Sequence, residues 1–124
     1  VLVVFEGEER ESRAVACAQD ILNTIQELNQ ELSQSIQIGI GISSGHVVMG
    51  NMGSESRMEH TVIGPSVNLA ARLCSLAKPG QLVLPSHLYK AHADAFGSHS
   101  VAMAKVEVVE VKGFTDPIDI FRIE

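Results

Sequence analysis

Tryptophan is missing from the 124 residues, tyrosine occurs once and phenylalanine four times. Sheets that bind nucleic acid stack bases on exposed aromatic rings, so this supply argues against that function. Cations are scarce too, with nine Lys and Arg against fifteen Asp and Glu and a formal charge of -6. Phosphate backbones are held by clustered Lys and Arg, so charge excludes nucleic acid a second time, and an anionic ligand must find local cations. The two cysteines, Cys17 and Cys74, form no CxxC pair. They read as reduced thiols of an intracellular protein, packed as small apolar fillers. His46, His60, His87, His92 and His99 show neither HExxH nor paired Cys/His spacing, so they read as surface or structural histidines. No run approaches the roughly 20 apolar residues of a membrane helix, and no charged-then-apolar leader opens the chain.

What is present belongs to a folded domain: 45% of residues are hydrophobic and 19% charged, in a chain long enough for one core and too short for two. The chain opens Val1-Leu2-Val3-Val4-Phe5, without Met, and reads as the interior of a β-strand at a truncated N-terminus. A charged turn follows, and Ser12 is placed to cap a helix. Apolar residues at Val15, Ala18, Ile21, Leu22, Ile25, Leu28 and Leu32 then recur at the spacing of one helix face. Residues 36–42 alternate isoleucine with Gln37, Gly39 and Gly41, a strand whose glycines let another element come close. Residues 46–50 read as a second strand forming a hairpin with it, and residues 51–57 as a polar loop. Pro65 and Ser66 start a helix of about three turns that Lys78-Pro79-Gly80 stops. Beyond it come a strand at residues 81–84, a short helix over 86–95, a β-rich stretch over 101–111, a turn, and a closing strand over 118–123. This order indicates an α+β domain with helices on one face of a mostly antiparallel sheet.

On the helix after Pro65, Asn68 and Arg72 stand four residues apart and share a face, with Leu69, Leu73 and Leu76 as a neighbouring stripe. The leucines would pack on the sheet, leaving an amide to fix a hydroxyl and a guanidinium to present its planar fork to phosphate oxygens. By spacing alone this pair is common on solvated helix faces. The longer string Arg57-Met58-Glu59-His60-Thr61-Val62-Ile63-Gly64-Pro65-Ser66-Val67-Asn68-Leu69-Ala70-Ala71-Arg72-Leu73 is far more specific. With it come Ile38-Gly39-Ile40-Gly41-Ile42, Val48-Met49-Gly50-Asn51-Met52-Gly53-Ser54, Ala77-Lys78-Pro79-Gly80-Gln81 and Val111-Lys112-Gly113-Phe114, in order along the chain. Together these blocks resemble the class III nucleotidyl cyclases, the adenylyl and guanylyl cyclase family.

The resemblance implies a ferredoxin-like sheet, with residues 1–124 forming part of a cyclase catalytic domain that lacks the family's first strand and helix. It implies cyclisation of ATP or GTP by attack of the ribose 3′-hydroxyl on the α-phosphorus, with pyrophosphate leaving. Matched residue by residue, Asn68 orients the ribose and Arg72 binds phosphate oxygens and stabilises transition-state charge. Lys112 neutralises the terminal phosphates, Thr61 reads the purine edge and Val62 lies against the ring. Many family members carry Asp where this chain has Thr61; threonine there resembles a bacterial, largely adenylyl-cyclase subset and favours ATP. His46 departs from the acidic residue common after the glycine, with little consequence expected. The family holds two Mg²⁺ or Mn²⁺ ions on two aspartates that match no residue of this chain, while Asp20, Asp94, Asp116 and Asp119 are scattered. The expectation is therefore no metal ligand in this chain and no activity by this chain alone. It would supply the ribose, phosphate and purine half of a site formed with a second identical chain or a second cyclase domain. Upstream sensor domains, a cytoplasmic catalytic domain and a parent protein open to membrane attachment belong to the same expectation. The rival is a catalytically silent cyclase-like domain that binds nucleotide or regulates a partner.

Overall fold

A computed structural model describes residues 1–54, 57–96, 101–106 and 118–124. The elements are α1 (Arg10–Asn29), β1 (Ile40–Gly41), β2 (Val48–Ser54), β3 (Arg57–Ile63), α2 (Pro65–Leu76), β4 (Leu82–Pro85), α3 (Ser86–Ala91), a 3₁₀ turn (Ala93–Phe96), β5 (Val101–Val106) and β6 (Ile118–Ile123). The mixed α+β class is as expected. Four strands form one sheet in the order β1-β4-β6-β5, while β2 and β3 form a separate two-stranded ribbon.

Strand β1 lies parallel to β4, with Ile40 opposite Leu82 and Gly41 opposite Val83. A parallel pair needs a crossover connection, and α2 provides it. The hairpin expected between residues 36–42 and 46–50 is therefore not formed. The antiparallel hairpin is β2–β3, running from Val48 opposite Ile63 to Ser54 opposite Arg57, so most of the expected polar loop is strand. Residues 1–5 carry no strand pairing either. Four of them are exposed apolar side chains, and Phe5 sits 5.9 Å from the Arg13 guanidinium instead. A strand exists only through ladder partners, and this segment has none among the described residues.

The helices do not share a face. Val15 and Ala18 of α1 and Leu88 of α3 pack with Leu82, Leu84, Ile123 and Phe96. Leu69 and Leu73 of α2 pack with Val83 and Ile120. Successive strand residues point to opposite faces, so α1 and α3 cover one side of the sheet and α2 the other. All of β4 is buried, as a strand covered on both sides must be, and its unbroken Leu82-Val83-Leu84 run is the corresponding sequence signal. Each buried leucine contributes about 1.5–3 kcal/mol relative to exposure.

Helix α1 begins at Arg10 behind Glu9, which holds a left-handed backbone (φ 55°) and makes no side-chain cap. Ser12 is thus inside the helix rather than its cap, with Oγ 3.4 Å from His92 Nδ1. Glu11 binds two elements at once. It accepts a hydrogen bond from Ser44 Oγ at 2.8 Å and lies 3.2 Å from His92 Nε2 beyond α3. Cys17 is half-buried, but Cys74 is exposed, its Sγ 3.4 Å from the Gly39 carbonyl.

The glycines of residues 36–42 do admit a close neighbour, and it is α2. A Cβ on Gly41 would stand 2.6 Å from the Ala70 carbonyl oxygen and 2.8 Å from the Leu73 carbonyl carbon, and one on Gly39 would stand 2.7 Å from Ala77 Cβ. These obstacles are backbone or short side chains and cannot swing away. Gly41→Ala is expected to cost about 1–3 kcal/mol or more in urea unfolding, whereas Gly50→Ala, whose Cβ meets nothing within 4 Å, changes the midpoint little.

The hydrogen bond from Ser44, followed by that with His92, holds the Glu11 carboxyl below its ordinary value. A carboxyl lowered on folding contributes stability that is present above its unfolded pKa and lost as pH falls through the folded one. Unfolding midpoints measured from neutral to acid pH should therefore fall less steeply for Glu11→Gln than for the parent, starting from a lower neutral value.

Candidate active site

Helix α2 is set by contacts at its start before any functional side chain is considered. Pro65 occupies the first turn, where its missing N–H costs nothing. Ser43 Oγ donates to the Ser66 carbonyl, and a Cβ on Gly45 would overlap Ser66 Oγ. Leu69 and Leu73 then turn inward to the sheet.

This leaves Asn68 and Arg72 exposed, one turn apart. Neither side chain makes a hydrogen bond or ion pair with any of the described residues. An amide and a guanidinium held this way have their donors available for an outside ligand.

Thr61 and Val62 lie half-buried near the end of β3, which Gly64 joins to α2. Thr61 faces Gly50 and Val62 faces Met49 across the ribbon. Paired residues share a face, and a Cβ on Gly50 would meet only open space, so room is left beside the threonine. The structure thus gathers four of the five expected residues onto one strand–glycine–helix unit. Lys112 lies outside the described residues.

Two concavities occur elsewhere. One lies along Arg13, Cys17, Asp20 and Ile21 of α1, and the other runs between α1, residues 35–38, Pro79–Gly80 and the end of β6. Neither is lined by Asn68, Arg72, Thr61 or Val62. Asn68 and Arg72 are exposed, and Thr61 and Val62 half-buried.

No group of three or more His, Cys, Asp or Glu among the described residues could hold a metal ion. Glu11 is committed to Ser44 and His92. Hard divalent cations need several converging oxygens, and the described donor set does not fit them.

Residues 3–124 match the family model of the adenylate and guanylate cyclase catalytic domain. The chain belongs to that family. An uncharacterized protein of Mycobacterium tuberculosis is 36% identical over 122 residues, covering 94% of this chain and 21% of its own length. A Mycobacterium bovis relative, also uncharacterized, is 37% identical over 122 residues, covering 94% of this chain and 22% of its own. The chain therefore spans about a fifth of the length of these curated relatives. Among solved structures, the guanylyl cyclase Cya2 superposes with a TM-score of 0.75 at 33% identity, covering 95% of this chain and 59% of that one. The catalytic core of a rhodopsin-guanylyl cyclase with converted specificity, solved with ATPαS, gives a TM-score of 0.72 at 26% identity, covering 94% and 60%.

Two exposed polar side chains thus sit on a firmly held helix, and the residues that hold it are different from those that face outward. The Gln81–Arg122 pair at the far end of α2 escaped the sequence reading, because nothing local links a strand arginine to a helix 46 residues away. Asn68 and Arg72 carry none of the packing, so Asn68→Ala and Arg72→Ala should each leave unfolding free energy within about 0.5 kcal/mol of the parent. A larger drop in the urea midpoint would mean that one of them holds the fold together.

Proposed function

We propose that this chain supplies one half of a purine nucleoside triphosphate cyclase site, with ATP favoured over GTP, forming a 3′,5′-cyclic nucleotide and pyrophosphate. The observation that carries the reading is the pair Asn68 and Arg72, outward-facing and without partners among the described residues, on a helix pressed against the Gly39 and Gly41 backbone. Asn68 orients the ribose so that its 3′-oxygen lies in line with the α-phosphorus. Arg72 binds phosphate oxygens and opposes the charge that grows on them as the bond to pyrophosphate breaks. Positioning and preorganised charge account for most of the catalysis in such transfers. Thr61, beside the space opposite Gly50, reads the purine edge with a hydroxyl that both donates and accepts, and Val62 lies against the ring. Lys112 is assigned to the terminal phosphates. Divalent metal chemistry, which the family generally uses, is not routed through any residue here, because the described donors do not fit it.

The exposure of Asn68 and Arg72 supports a site completed by a second chain or a second cyclase domain. The β2–β3 ribbon supports it too. Isolated two-stranded ribbons are marginal in water, and this one leaves Val48 71% and Ile63 54% exposed at its paired ends. By this reading the 124-residue chain alone turns over no nucleotide. The proposed setting is intracellular signalling, in a cytoplasmic catalytic domain with sensor domains elsewhere in the protein. The absence of a metal-binding cluster among the described residues favours one rival, a silent domain that binds nucleotide or regulates a partner.

Measuring cyclic AMP from ATP with the full-length protein separates the two readings. Arg72→Ala should reduce kcat by about a hundredfold or more while changing ATP affinity only severalfold, since its contact strengthens in the transition state. Equal turnover by parent and variant would refute the role given to Arg72. Nucleotide binding without any product from the parent would select the silent domain.

A further inference from the structure

The last turn of α2 holds no basic residue, although its final carbonyls carry the negative end of the helix dipole. The compensating cation comes from another element. Arg122 on β6 stands opposite Val83, on the face of the sheet that α2 covers. Its Nη1 donates to the carbonyl of Leu76, the final helical residue, at 2.6 Å. The same nitrogen lies 3.2 Å from Gln81 Oε1.

Gln81 is the only buried polar residue in the described core, and each end of its amide is used. Its Oε1 also accepts from the Lys78 amide at 3.0 Å, and its Nε2 donates to Glu124. The amide that holds the guanidinium is thus itself held by the turn that follows the helix. Removing the guanidinium would take that donor from the part-buried Leu76 carbonyl and leave Gln81 Oε1 with the Lys78 amide alone, a costly change.

We infer that Arg122, held by Gln81, is a positioning residue for Arg72, an inference that rests on the phosphate-binding role proposed for Arg72 above. The connection is short. Leu76 lies one turn beyond Arg72, and in an α-helix its amide donates to the Arg72 carbonyl while its own carbonyl receives Arg122. The start of α2 is fixed by Ser43, Gly45 and Gly64, and its middle by Gly41 and the two leucines. Arg122 fixes the third point, the end nearest Arg72. Without it the last turn can fray, and Arg72 loses one of the anchors that set its reach. Transition-state contacts tolerate little displacement, so the loss falls on turnover rather than on binding.

The test compares Arg122→Leu, Arg72→Ala and a stability control, Leu88→Ala, in the full-length protein. Leu88 is buried on the opposite face of the sheet, away from α2. Arg122→Leu is expected to lower kcat for ATP by about tenfold or more with KM within about threefold of the parent, and to speed hydrogen exchange at the Leu76 and Ala77 amides. Leu88→Ala, with turnover counted per folded molecule at the temperature used for the parent, should keep the parental kcat. If Arg122→Leu fails to accumulate, Arg122→Lys gives the same comparison with an expected loss of about threefold, since the shorter lysine stem does not carry its ammonium to the place where Nη1 meets both oxygens. Unchanged exchange at Leu76 and Ala77, or an equal loss of kcat in Leu88→Ala, overturns the inference. A slow Arg72→Ala beside a fully active Arg122→Leu overturns this inference alone. A fully active Arg72→Ala removes the reading beneath it.

Discussion

Helix α2 lies directly on bare backbone. Side chains ordinarily space a helix from the sheet beneath it, but at Gly39 and Gly41 there is no side chain to do so, and the Ala70–Ala77 stretch sits within contact distance of the strand. Close approach removes the freedom to slide or roll that a cushion of flexible side chains would leave. Leu69 and Leu73 supply the apolar burial that holds the helix down, and the glycines set where it comes to rest. The direction in which Asn68 and Arg72 project follows from that setting.

Around this contact the sheet is organised in two halves with different tasks. One face, packed by α1 and α3, is a conventional apolar core centred on Leu82, Leu84, Leu88 and Phe96. It contributes stability and carries none of the proposed substrate contacts. The other face is thinner, with α2 as its cover, and it presents polar groups outward. The helix separates burial from polar display: the residues that hold it are different from the residues that face outward. Cyclase relatives of known structure share the architecture.

Several of these features were legible in the residues. The α2 boundaries follow from Pro65 and from Lys78-Pro79-Gly80, because proline and glycine chemistry is local. The inward leucines and outward Asn68 and Arg72 follow from the helical repeat. Other features were not legible, and for a common reason. The hairpin was expected one strand too early, because residues 36–42 alternate as a strand should, and alternation does not reveal the partner. Placing the helices on one face failed because a short apolar run such as Leu82-Val83-Leu84 fits several strand environments, and only its neighbours show that both sides are covered. Ser12 looked like a cap, yet the helix had already begun at Arg10 behind a left-handed Glu9.

By itself the sequence determined the cyclase family, the chemical character of the exposed groups and the need for close packing at two glycines, since each depends on residue type and short-range order. Only the tertiary structure decided that β1 pairs in parallel with β4, that α2 stands on the face opposite α1, and that Arg122 reaches the last carbonyl of α2. Those facts depend on which distant segments meet, and a guanidinium finds a helix end through the register of the strand that carries it, not through any signal in the residues on either side.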